Sequence, residues 1–137
     1  MIDVMRLVYE VLTADATLTA QTGGKIYGPP GLPVGFQISP AVVFYGNGGD
    51  SSAYIPEGTA LVVFRCYGKT AAEARKVYGV LHDALNRKRA SVTVGAETWI
   101  LDYALLTSGP YDMVEPDLGW SFVHAMFTLR VTEVPVI

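Results

Sequence analysis

Along the first dozen positions apolar residues recur with a helical period. Val4, Leu7, Val8, Val11 and Leu12 gather on one face of a helix, and Asp3 stands where a carboxylate can accept from the free amides of its first turn. Asp15 to Gln21 repeats the device in a shorter turn of helix, with Asp15 as cap, Leu18 facing inward and Gly23-Gly24 as the stop. The clearest helical pattern lies within Lys69 to Arg89. Thr70 and Glu73 have the spacing of a capping box, and Ala74, Val77, Tyr78, Leu81 and Leu85 form the apolar stripe. Arg87, Lys88 and Arg89 close this segment, where positive charge complements the helix dipole.

Elsewhere the pattern is that of strands. Ala41 to Tyr45 is a short β-branched and aromatic run, and Thr59 to Tyr67 places Val62, Phe64 and Cys66 on one face. Val92 to Val94 and Thr98 to Leu106 flank Gly95-Ala96 as a hairpin. Trp120 to Thr132 alternates Trp120, Phe122, His124 and Met126 against Val123, Phe127, Leu129 and Val131. Gly28 to Pro40, rich in proline and glycine, reads as an extended surface connector. Gly109 to Gly119, with Pro110, Pro116 and the acids Asp112, Glu115 and Asp117, reads as a loop. The order α, β, β, α, β, β, β predicts an α+β domain spanning residues 1–137. It has a largely antiparallel β-sheet with two amphipathic α-helices packed on one face. A flexible hairpin tip is expected around residues 46–57, where Gly46 to Ser52 suits no regular element.

Composition narrows the function classes. Charged residues make up 17% of the 137, below the usual share of about 25%, which leaves apolar or neutral surface for a partner to cover. The net charge of −3 gives no general pull toward nucleic acid or anionic membranes. A single cysteine, Cys66, excludes an intramolecular disulfide and fits a reducing cytoplasm. The first residues lack the pattern of a signal peptide, and no apolar run approaches the ~20 residues that cross a bilayer.

Candidate chemistry is sparse. Cys66 sits mid-strand among apolar neighbours, His82 follows the buried Leu81 on a helix, and His124 alternates with aromatics; none has a base and an orienting group beside it in the pattern. Zinc needs about four clustered ligands, more than the chain has cysteine and histidine to supply. Asp112, Glu115 and Asp117 lack the spacing of a calcium loop, and the glycines at 46, 48 and 49 are followed by a strand rather than a phosphate-binding helix. The expectation is no catalytic residue, no cofactor and no metal. The candidate partner-binding residues are Asn47, Asp50, Tyr54 and Ile55 at the hairpin tip, and Arg87, Lys88 and Arg89.

Four passages carry a resemblance to a known family. They are Leu12-Thr13-Ala14-Asp15-Ala16-Thr17-Leu18 with Gly23-Gly24-Lys25-Ile26-Tyr27; Leu61 to Tyr67 running into Thr70-Ala71-Ala72-Glu73-Ala74; Leu81-His82-Asp83-Ala84-Leu85; and Asp117-Leu118-Gly119-Trp120 leading into Ala125 to Val131. In this order they make the chain similar to the tail-terminator, or tail-completion, proteins of long-tailed bacteriophages. The stretch from Gly28 to Pro40 departs from that pattern by its length. The resemblance implies a structural, non-enzymatic virion protein, assembled in the host bacterial cytoplasm. It implies a homo-oligomeric, hexameric ring on the head-proximal end of the tail tube, in contact with tail-tube and head-completion proteins. DNA would pass through that ring without specific binding, and no membrane is involved. The alternative reading is a small α+β enzyme or ligand-binding domain with a pocket between sheet and helices.

Overall fold

A computed structural model describes residues 2–46, 54–55 and 57–134. The elements run β1 (Ile2–Asp3), α1 (Val4–Thr13), α2 (Ala16–Thr22), β2 (Ile26–Tyr27), β3 (Ala41–Gly46), β4 (Tyr54–Ile55), β5 (Glu57–Gly68), α3 (Ala71–Leu85), β6 (Ala90–Val94), β7 (Glu97–Val114) and β8 (Ser121–Glu133). A six-stranded sheet has the order β2-β3-β5-β8-β7-β6, and β1 pairs with β4 apart from it. The fold is α+β. Its main sheet is mixed rather than wholly antiparallel, because β2 pairs parallel to β3 while its other neighbours run antiparallel.

The helices start where their sequences supply acceptors. Asp3 accepts from the Arg6 amide at 3.2 Å, Asp15 from Leu18 at 2.8 Å and Thr70 from Glu73 at 3.1 Å. In α3 the reciprocal half of the capping box falls one residue early, the Glu73 carboxylate accepting from the Lys69 amide at 2.8 Å. Gly23 ends α2 in the left-handed conformation at φ 63°. All three helices contribute to one core with the inner face of the sheet: Leu7, Leu12, Leu18, Val77, Leu81 and Leu85 meet Phe44, Phe64, Phe127 and Leu129, each nearly or fully buried. Phe64 and Phe127 meet edge to face, their centroids 5.5 Å apart.

Three sequence expectations change. The helix expected to reach Arg89 stops at Leu85, because the chain turns sharply there. Arg87 takes a positive φ of 60° and its amide donates to the Ala104 carbonyl at 2.7 Å, which ties the basic turn to β7 instead of extending the helix. The expected loop from Gly109 to Gly119 is strand as far as Val114, paired with β8 out to Val114 opposite Ser121. Pro110 fits because the register slips between Ser108 and Tyr111, and an irregularity tolerates a residue that cannot donate to the ladder. Gly109 is required there: its φ is 97°, and a Cβ would stand 2.7 Å from the His124 carbonyl oxygen.

The third change concerns Gly28 to Pro40. It has no regular structure, yet it is more than a connector. Leu32, Phe36 and Ile38 lie over the outer face of the sheet, against Ala41, Val43, Tyr67 and Phe122. Phe36 meets both Tyr27 and Trp120 edge on, at 6.2 and 5.8 Å between centroids. Among the described residues, one half of the outer face is therefore capped by a loop, and the other half is not.

Candidate functional site

The uncapped half carries exposed apolar side chains around Arg130, which lies opposite both Thr59 and Tyr103. Its side chains come from alternate positions of β5, β8 and β7, and the register sets them in rows. Leu61 lies opposite Thr128 and Thr128 opposite Leu105; Arg65 faces His124 and His124 faces Tyr111; at the border with the capped half Met113 lies opposite the buried Phe122. Leu61, Tyr103, Leu105, Tyr111 and Met113 remain 38–54% exposed. Beyond them, Val114 and Leu118 are 59% and 60% exposed. Exposed apolar side chains gathered on one face are a common mark of interaction surfaces. The sequence carried a signal for it: Tyr103 to Leu106 is apolar on both faces of a strand, which a sheet covered on one side alone does not need.

A polar cluster separates this patch from the capped half. The Arg65 guanidinium carbon stands 4.9 Å from the Phe122 ring centroid and 5.8 Å from that of Tyr45. Its Nη1 donates to Glu115 Oε1 at 3.3 Å, and the Tyr67 hydroxyl donates to the same oxygen at 3.0 Å. Burial pushes the Tyr67 phenol above its ordinary pKa. Burial, and then the charge of Arg65, hold the His124 imidazole below its ordinary value. The cluster ties the far turn of the β7–β8 hairpin down to β5.

Arg75 and Asp112 pair at 3.0 Å, so the carboxylates of Asp112 and Glu115 answer to separate cations and not to a common centre. Among the described residues no group of three or more His, Cys, Asp or Glu side chains could hold a metal. Cys66 is fully buried, and burial pushes its thiol far above the usual range, so the nucleophilic thiolate does not form near neutral pH. Between sheet and helices, Phe44, Phe64 and Phe127 pack with the leucines of the helices, each nearly or fully buried. An open cleft of about 620 Å³ lies where the end of α1 and the start of α2 approach Lys88 to Thr93.

The residues singled out in the sequence divide. Asn47 and Asp50 lie outside the described residues. Tyr54 and Ile55 are not a free tip in their backbone: as β4 they pair with Asp3 and Ile2. Arg87, Lys88 and Arg89 are exposed, and Lys88 and Arg89 line the cleft just described.

No protein-family model matches the chain, and no curated protein does. A solved structure does. A chain in the structure titled "Virion of native gene transfer agent (GTA) particle" superposes with a TM-score of 0.69 at 20% identity, over 96% of each chain. The likeness is one of fold. It runs through the whole architecture, the β7–β8 hairpin and the helical layer alike, since so little of either chain is left uncovered.

Proposed function

We propose that this chain is a structural virion protein of the tail-terminator kind. It would assemble as a hexameric ring on the head-proximal end of a tail tube and join tail to head. The observation that carries the reading is the end-to-end fold likeness to a chain of a gene transfer agent virion. The family resemblance of the sequence and the exposed half of the outer sheet face support it. A fold alone does not assign a role, but a protein that works inside a particle needs surfaces its neighbours cover. Leu61, Leu105 and Tyr111 supply one. In this reading the working parts are interfaces, and no residue acts on a substrate.

The test is to add purified protein to growing tail tubes and image them in negative stain. Growth should stop, with a ring at one end of each tube. Tubes that keep lengthening, with neither end decorated, would refute the terminator role. A mixture in which the protein coats the tube wall would indicate a different structural place in the particle.

A further inference from the structure

Two features that carry side chains of opposite charge without an ion-pair partner stand at opposite ends of the molecule. The first is the turn between β7 and β8. It is closed by hydrogen bonds from the Glu115 amide to the Trp120 carbonyl and from the Gly119 amide to the Glu115 carbonyl, both 2.9 Å, so it projects as a fixed knob. At its tip Leu118 is 60% exposed, and beside it lies the exposed Asp117. The second is the cleft of about 620 Å³ at the junction of α1, α2 and β6. Val11, Ala14, Ala16 and Val92 give it apolar lining, Lys88 and Arg89 make one edge basic, and Glu10 and Asp15 line the other.

The two carboxylates lie on the side of the cleft that α1 and α2 form. Glu10 pairs with Arg6 at 3.1 Å, and Asp15 accepts from the Leu18 amide. Among the described residues, Lys88, Arg89 and Asp117 have no ion-pair partner. The two features cannot meet within one chain. Leu101, next to the cleft through Ala90, lies opposite Val131, and Val114, at the knob, lies opposite Ser121. Those positions on β8 are ten residues apart (131 − 121), so the strand holds knob and cleft ~33 Å from each other.

We infer that the β7–β8 turn of one subunit docks into the α1–α2–β6 cleft of the next copy of this chain. Leu118 enters the apolar lining and the Asp117 carboxylate meets Lys88 and Arg89. A contact between unlike surfaces repeats from copy to copy and closes into a ring when its rotation allows. The inference rests on the reading of the chain as a self-assembling ring protein, and it names the contact that builds the ring.

Engineered cysteines test it, because the native Cys66 is buried and does not compete. In a variant carrying both Asp117→Cys and Arg89→Cys, mild oxidation should give a ladder of covalent multimers. An equimolar mixture of the two single variants should stop at dimers. In parallel, Asp117→Lys should weaken self-association about tenfold or more, and adding Lys88→Glu with Arg89→Glu should restore it, as complementary interface charges do. Light scattering of the unmodified protein, alone and on tail tubes, separates the possible failures. Rings that form while the double-cysteine variant gives no ladder overturn the docking geometry and leave the ring reading standing. A protein that stays monomeric under both conditions and gives no ladder overturns both.

Discussion

Gly68 shows how a single residue constrains this fold. It joins the end of β5 to the start of α3, and a Cβ at that position would overlap the backbone nitrogen of Ala74 and crowd the carbonyl carbon and Cβ of Glu73. Gly68→Ala should therefore destabilise the protein by about 1–3 kcal/mol, the usual cost of overpacking. An unchanged midpoint in urea would show that the helix shifts freely away from the strand. His124 provides a pH-dependent counterpart. Its folded pKa is lowered, and it stands between Arg65 on β5 and Tyr111 on β7. The unfolded chain then binds more protons than the folded one as the pH falls through about 6.5, so stability declines below that point until the folded pKa is passed. His124→Gln should flatten that decline between about pH 7 and pH 5, where the histidine of the unfolded chain titrates. Equal slopes for the two proteins would show that neither burial nor Arg65 lowers the pKa of this imidazole.

At the scale of elements, the sequence was most legible where a period runs unbroken. Leu81 and Leu85 on α3, and Phe127 and Leu129 on β8, are buried where their spacing placed them. Leu81→Ala should cost about 2–5 kcal/mol, read from the thermal or urea midpoint. A loss below that range would mean that the core collapses around the gap. Legibility failed where breaker residues sit inside a strand. Gly109 and Pro110 read as punctuation, but a register slip absorbs both, and that slip is decided by the partner strand, which no local pattern reveals. The end of α3 was misplaced for a similar reason. Arg87, Lys88 and Arg89 suit a helix terminus locally, but the carbonyl of Ala104 draws the Arg87 amide into a turn.

For the whole molecule, the division of the outer sheet face decides what is surface and what is core. The half under Leu32, Phe36 and Ile38 behaves as interior, while the half carrying Leu105 and Tyr111 is open. Replacing both Leu105 and Tyr111 with Ser should change monomer stability by about 0.5 kcal/mol or less per site, as exposed substitutions do. The same variant should fail to join its partners in a tube-capping assay. A folded double variant that caps tubes normally would remove this face from the interface. Little of this site could be read in advance, because exposure on a sheet face depends on how a distant loop lies across it. Lys88 and Arg89 stood among the candidates, but the cleft they line is made by helices some seventy positions earlier in the chain.

The β7–β8 hairpin also bears on the order in which the chain acquires its shape. Phe127 is flanked by Leu106 on one side and Val62 on the other, 21 positions (127 − 106) and 65 positions (127 − 62) away in sequence. Closing the shorter loop costs less chain entropy, so β7 and β8 can zip from their turn before β5 arrives. Leu106→Ala should then mainly slow folding, and Val62→Ala should mainly speed unfolding. Stopped-flow rates with the reverse assignment would mean that β5 and β8 meet first. If the hairpin does form first, the knob carrying Leu118 is complete before the helices have built the cleft. In refolding of the full-length chain a subunit would then present its projecting end while it still lacks a receiving one, a sequence of events that delays self-capture until each subunit is finished.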